Sequence, residues 1–208
     1  MRLDHLVVGA ATLKEGTRWM SELLDCPPVG SGKHADMSTH NALWRIGSAY
    51  LEVIAIDPDA PALSSPRWYG LDQPETRERL AEHPRLLTWV VEPATLEEMQ
   101  ALMPFETGKA RTFSRDTLSW RLTVPDDGLP PLHGTQPTLI AWDEGSQSPG
   151  VSLEDQGLQL DHIALGTDPK LFDMIEGMER DFELTRSVIT PNLTATITRA
   201  DGVKIVID

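Results

Sequence analysis

Three short apolar runs frame the chain. They are Leu3-Asp4-His5-Leu6-Val7-Val8, Leu86-Leu87-Thr88-Trp89-Val90-Val91 and Leu160-Asp161-His162-Ile163-Ala164-Leu165. Each has the length and β-branched character of a strand. A helix-start signal follows each at one fixed distance: Thr12, Thr95 and Pro169 lie seven residues beyond His5, Thr88 and His162. A pattern repeated at a constant offset predicts a repeated structural unit.

In the first copy, period-two alternation predicts Leu3, His5 and Val7 on one face and Asp4, Leu6 and Val8 on the other. Thr12 and Glu15 form a T-x-x-E capping box, which predicts a helix carrying Leu13, Trp19, Met20, Leu23 and Leu24 until Pro27-Pro28. Gly30-Ser31-Gly32-Lys33 lacks P-loop spacing and follows a helix instead of a strand, so it reads as a turn. Strands are expected over Thr39 to Ile46 and Tyr50 to Asp57, joined at Gly47-Ser48. Residues 57 to 85 are rich in proline and read as a long, functional type of connection with a short helix near Glu75 to Glu82.

The second copy repeats the capping box at Thr95 and Glu98, and Leu96, Met99, Leu102 and Met103 give its helix an apolar face. Strands are expected over Ala110 to Ser114, Leu118 to Val124 and Thr138 to Trp142. In the third, Asp168 caps a helix with Pro169 at its first position. Leu171, Ile175, Met178 and Phe182 mark its apolar face, and strands follow over Leu184 to Val188, Leu193 to Arg199 and Val203 to Asp208. The fold class is therefore α+β, built of β-α-β-β-β units at residues 1–57, 86–143 and 159–208. A proline-rich connection at 58–85 and a polar linker at 144–158 separate them.

Composition narrows the partners. A chain of 208 residues, 40% of them hydrophobic, can bury a substantial core. A net charge of −14 argues against nucleic acid and against anionic membrane surfaces, both of which call for clustered Lys and Arg. Cys26 is the only cysteine, which excludes an intrachain disulfide and fits a reducing compartment. It sits beside Pro27-Pro28 with no local base, as a structural residue does. No apolar run approaches the ~20 residues of a membrane span. Lys14-Glu15 cut the N-terminal apolar run too short for a signal peptide, so the expected location is cytoplasmic.

The candidate chemistry centres on Glu52, a carboxylate inside the apolar run Tyr50 to Ile56. Such a group needs a partner or a metal, because desolvating a charge is costly. His5 is either a second member of that site or a hydrogen-bonded core residue. His40, on the second expected strand, is a candidate ligand or general base facing a cup, with Asn41 on the opposite face. Arg67 and Trp68 are candidates for substrate contact, Arg67 toward an anion and Trp68 as pocket wall. His34 reads as a solvated turn residue, and His83 and His133 are given no role.

The repeated β-α-β-β-β pattern, with histidine on a first strand and glutamate on a last, resembles the vicinal oxygen chelate superfamily. That superfamily includes glyoxalase I, extradiol dioxygenases and bleomycin-resistance proteins. The resemblance is nearest to its glyoxalase-like branch. It rests on the Leu3–Val8 run, on His34-Ala35-Asp36-Met37-Ser38-Thr39-His40-Asn41 and on Tyr50 to Asp57, and continues through Pro66-Arg67-Trp68 and Trp120 to Pro125.

It implies paired units whose sheets curl into a cup, with a divalent metal (Zn, Ni, Mn, Fe or Co) held on the floor. His5 and Glu52 match two ligand positions, while Thr88 and Thr138 stand at the corresponding positions of the second copy. Pairing with the third copy would bring in His162 as a further ligand, with Val203 or Asp208 near the remaining position. The implied activity is isomerisation, ring-opening or group transfer, as in lyases and dioxygenases of this type, on a small substrate with neighbouring oxygens. Asn41, Arg67 and Trp68 are then substrate contacts, Glu52 and His40 catalytic groups, and a homodimer is a further expectation. The alternative implied by the same resemblance is a metal-free protein that sequesters a small molecule.

Overall fold

The computed structural model describes residues 1–208. Its first strand, β1 (Arg2–Gly9), is followed by α1 (Leu13–Leu24), β2 (Gly30–His34), β3 (Thr39–Ile46) and β4 (Ala49–Ile56). The expected turn at Gly30-Ser31-Gly32-Lys33 is instead strand β2, paired antiparallel with β3 from Gly30↔Leu43 to His34↔Thr39. Glycines give no side-chain alternation to read, so this strand leaves no period-two trace. It supplies the third strand after the helix in the first unit.

The proline-rich connection holds α2 (Pro74–Glu82) and leads into β5 (Arg85–Glu92), α3 (Leu96–Leu102), β6 (Lys109–Arg115), β7 (Leu118–Val124) and β8 (Thr138–Trp142). These two runs form one eight-stranded sheet in the order β2-β3-β4-β1-β5-β8-β7-β6. The two halves join where β1 and β5 pair antiparallel. In each half the first strand lies parallel to the last, with Val7↔Glu52 in one and Val90↔Thr138 in the other. The register thus puts Thr138 at the place of Glu52. The sheet curls until its outer strands, β2 and β6, touch.

Beyond it come α4 (Pro149–Ser152), β9 (Gln159–Gly166), α5 (Pro169–Glu176), β10 (Leu184–Arg186), β11 (Asn192–Thr198) and β12 (Lys204–Ile207). The element order repeats, but the sheet does not. Its order is β10-β9-β11-β12, so the first strand sits inside the sheet and never touches the last. This small sheet and α5 cover the back of the large one. Leu3, Leu6, Val8, Trp89 and Val91 there share a buried cluster with Ile163, Leu165, Phe172 and Ile197. Main-chain bonds from Leu86 to Asp208 (2.7 Å) and from Gly47 to Leu158 (2.9 Å) pin its edges. The expected linker at 144–158 is also packed, with Ser148, Pro149 and Gly150 buried.

Helix starts follow the expectation in two cases of three. The Thr12 hydroxyl oxygen accepts from the Glu15 N–H at 3.2 Å, and Asp168 accepts from the Lys170 N–H at 2.9 Å. Thr95 makes no side-chain cap, so the second capping box is not formed. α1 lies against β4 through a glycine. A Cβ at Gly16 would stand 2.5 Å from Ala10 Cβ and 2.6 Å from Val53 Cγ1. Gly to Ala in a helix ordinarily stabilises by about 1 kcal/mol. Here overpacking reverses the sign, and Gly16→Ala is expected to lower the unfolding free energy by about 1–3 kcal/mol. Urea denaturation reads the difference.

Candidate functional site

The concave face collects every second side chain of the large sheet. Cross-strand partners share a face, so the register places Asn41 and Leu43 beside Tyr50, Glu52 and Ile54. Across the sheet, Trp120 and Leu122 stand beside Trp142 and Ile140. The connection after β4 closes the open side. Trp68 and Tyr69 stack with ring centres 5.5 Å apart, and Tyr69 holds a left-handed φ of 60° that a bulky side chain rarely adopts. These walls enclose a cavity of about 30 Å³, lined by His5, His34, Glu52 and Arg115 together with aromatic rings. That volume is room for one or two water molecules.

The strand β1 departs from regular alternation at the site. A bulge between Leu3 and His5 turns Leu3 to the back core and His5 into the cavity, against the expected shared face. The same irregularity brings the Asp4 carboxylate beside the ring of its neighbour. Asp4 is fully buried and accepts from His5 Nδ1 at 2.7 Å and from Trp142 Nε1 at 2.8 Å. Burial pushes the Asp4 carboxyl up, but the hydrogen bond and charge of His5 and the Trp142 and Ser148 donors outweigh it. The net effect holds Asp4 below the usual carboxylate range. An ionised carboxylate only accepts, so His5 Nδ1 carries a hydrogen and donates it.

The other ring nitrogen faces Glu52, with His5 Nε2 and Glu52 Oε2 3.7 Å apart. The other Glu52 oxygen accepts from Asn41 Nδ2 at 2.6 Å. The same amide nitrogen lies 3.4 Å from His34 Nε2. An amide NH2 only donates, so His34 Nε2 is an acceptor and its Nδ1–H reaches the Thr39 hydroxyl at 3.0 Å. Burial, the largest influence, pushes the His34 imidazole down to about 4. The imidazole of His5 stacks on Tyr50, ring centres 4.5 Å apart. Burial and then the Asp4 and Glu52 charges push the Tyr50 phenol well up, and Tyr69 is raised by burial and by Glu52. Both phenols stay protonated.

The structure therefore brings together His5, Glu52, Asn41 and Trp68 from the expected set. It separates three others. His40 alternates with Asn41 on β3 and points away from the cavity, toward Lys33 and Asp57. Its expected cup-facing position belongs to Asn41 instead. The Arg67 guanidinium is engaged by Asp72 at 2.5 Å. His162 lies on the second sheet, facing Thr196 at 3.4 Å, because the cup is built from the first two units. His34, expected in solvent, is buried in the wall with its ring edge against Trp68 at 4.9 Å. Asp4 and Arg115 are the other residues that sequence reasoning missed.

The donor set does not fit a divalent metal. A catalytic zinc site uses three protein ligands, and no cluster of three or more His, Cys, Asp or Glu is arranged to hold an ion. His5 Nε2 and Glu52 Oε2 make two donors, while Asn41 occupies the second Glu52 oxygen. At the symmetric positions stand Thr88, its hydroxyl 3.4 Å from the Trp89 and Gly134 carbonyl oxygens, and Thr138, buried in the sheet.

Comparison with known proteins follows the same geometry. A sequence family described as "Glyoxalase-like domain" matches residues 3–174, most of the chain and nearly all of the large sheet. The chain belongs to this glyoxalase-like family. Its α+β fold is the glyoxalase-like one, as the resemblance implied. Among solved structures, a hypothetical protein from Staphylococcus aureus aligns over 100% of this chain and 85% of its own at TM-score 0.50 and 13% identity. A methylmalonyl-CoA epimerase from Streptomyces coelicolor, in complex with 2-nitronate-propionyl-CoA, aligns over 72% of this chain and 99% of its own, with TM-score 0.42 and 14% identity. A 4-hydroxymandelate synthase mutant from Streptomyces coelicolor covers 99% of this chain and 61% of its own, at TM-score 0.43 and 12% identity. No curated protein matches. No helix of this glyoxalase-like protein is long and apolar enough to cross a membrane.

Proposed function

We propose that the cavity is the acid–base centre of a small-molecule enzyme acting on a compound with neighbouring oxygens. One observation carries the reading. A buried carboxylate takes the His5 Nδ1–H, and the ring's Nε2 faces Glu52 Oε2 across 3.7 Å. That gap is too long for a hydrogen bond, so both atoms are open to a ligand. In its neutral form His5 takes the proton from the substrate carbon beside the carbonyl, and the C–H electron pair moves onto the carbonyl oxygen. Asp4 stabilises the resulting imidazolium, and Glu52, steadied by Asn41, accepts from the substrate hydroxyl. The aromatic walls exclude water and strengthen each of these contacts.

This reading assigns no step to a metal. The buried carboxylate behind His5 also suits a metal-bound imidazole, whose second nitrogen commonly donates to such a group. The experiment separates the two. Small α-hydroxycarbonyl compounds are incubated in D2O with protein treated with EDTA, and NMR reads the loss of their exchangeable C–H signals. Exchange is expected to persist in EDTA and to fall by roughly 10²–10⁴-fold in His5→Gln and Glu52→Gln. Exchange that appears only with added Zn²⁺ or Ni²⁺, or that survives in both variants, sinks the proposal.

A further inference from the structure

Arg115 ends strand β6, at the outer edge of the sheet, and lines the cavity. The chain has far more acidic than basic residues, yet Arg115 appears in no ion pair and no side-chain hydrogen bond. Asp116, next to it at the hairpin tip, has a left-handed φ of 53° and does not pair with it. The guanidinium instead crosses the seam between the two outer strands and lies on Gly32 of β2. A Cβ there would stand 2.8 Å from Arg115 Cδ and Cζ. Gly32 is the cross-strand partner of Asn41, which holds Glu52. The seat thus sets one unpaired cation beside the strand that positions the acid–base pair. Its charge is felt within the site, where it helps to push the His34 imidazole down.

The Arg115 guanidinium is half-exposed and takes no protein anion, so it is free to take one from a ligand. Its planar fork matches a carboxylate in two parallel hydrogen bonds. Glu52 Oε2, which takes no hydrogen bond, is an acceptor for one hydroxyl. The enclosed space is small and Arg115 is only half-buried beside it, so both groups must belong to a short molecule that reaches from the cavity to the guanidinium.

We infer that the site takes a small hydroxy-carboxylate, its carboxylate held by Arg115 and its hydroxyl donating to Glu52 Oε2 beside His5. This deepens the acid–base reading and rests on it for the placement of the hydroxyl. Gly32 is then a specificity position, because any side chain there unseats Arg115.

Glycolate, acetate and ethylene glycol are the probes. Glycolate carries both groups, acetate only the anion, and ethylene glycol only hydroxyls. Calorimetric titration, with the quenching of cavity tryptophans as a second readout, measures their binding to the whole chain. Glycolate is expected to bind at least tenfold more tightly than either of the others. Arg115→Gln is expected to lose at least tenfold in glycolate affinity, and Arg115→Lys to recover part of it. Gly32→Ala keeps the charge but moves it, and is expected to weaken glycolate by a similar factor with little change in thermal stability. Equal affinity for glycolate and ethylene glycol, unchanged glycolate binding in Arg115→Gln, or no saturable glycolate binding by the wild-type chain overturns the inference. Binding of these probes is read without any turnover, so it fails or holds independently of the proton-exchange experiment.

Discussion

Asp4→Asn is expected to lower the unfolding free energy by about 3 kcal/mol and proton exchange by roughly 10²–10⁴-fold. The buried carboxylate takes His5 Nδ1 on one oxygen and Trp142 Nε1 on the other. An amide offers only one acceptor oxygen, and its NH2 group would meet one of those donors head on. Either His5 loses its orienting partner or Trp142 is left with a buried, unsatisfied N–H. In the first case the neutral ring can also flip to the tautomer that puts a hydrogen on Nε2 and removes the lone pair there. Urea denaturation and the deuterium exchange assay read the two effects. The nitrogen chemical shifts of His5 report the tautomer directly. A variant with wild-type stability and an unchanged His5 tautomer contradicts this account of Asp4.

The second large effect is a pH dependence of stability owed to His34. Its imidazole titrates near 6.5 in an unfolded chain and near about 4 when buried beside Asn41 and Thr39. Between those values the unfolded chain binds more protons than the folded one, so stability rises with pH across the window. The contribution is fully present above pH 6.5, falls away as the pH drops, and is gone below about 4. Its size is about 3 kcal/mol. His34→Gln carries no titrating group, so its stability curve is expected to be flatter than the wild type by about that amount. Denaturant midpoints taken at intervals from pH 7 to pH 4 make the comparison. Parallel curves would show that His34 is charged in the folded protein or unburied.

What the sequence made legible has a physical pattern. His5 and Glu52 stood out because each is polar within an apolar strand, where burial has to be explained. Trp68 stood out as a large ring in a long loop. Asn41 was assigned to substrate contact although alternation was taken to turn it away from the cup. In the structure it is His40 that turns away, because the phase of a strand is set by its neighbours and not by its own pattern. His34 was hidden by the glycines before it, which erase the alternation of β2. Asp4 was hidden by a bulge that breaks the period of two. Arg115 is a single charge at a hairpin end, and only the curl of the sheet brings it to Gly32. The third copy repeats the element order but not the pairing, so His162 had the right motif in the wrong sheet.

The two faces of the large sheet carry separate duties. Its back is sealed by residues that the cavity never meets, including Ile163, Leu165 and Ile197 from the last part of the chain. Its front packs a second buried cluster, with Val7, Ile54, Trp68, Val90, Trp120 and Ile140, around the cavity. A change at the front acts on that cluster, while the seal behind stays shut. Such a division lets one framework be retuned toward new compounds, at the cost of depending on its C-terminal cover to stay folded.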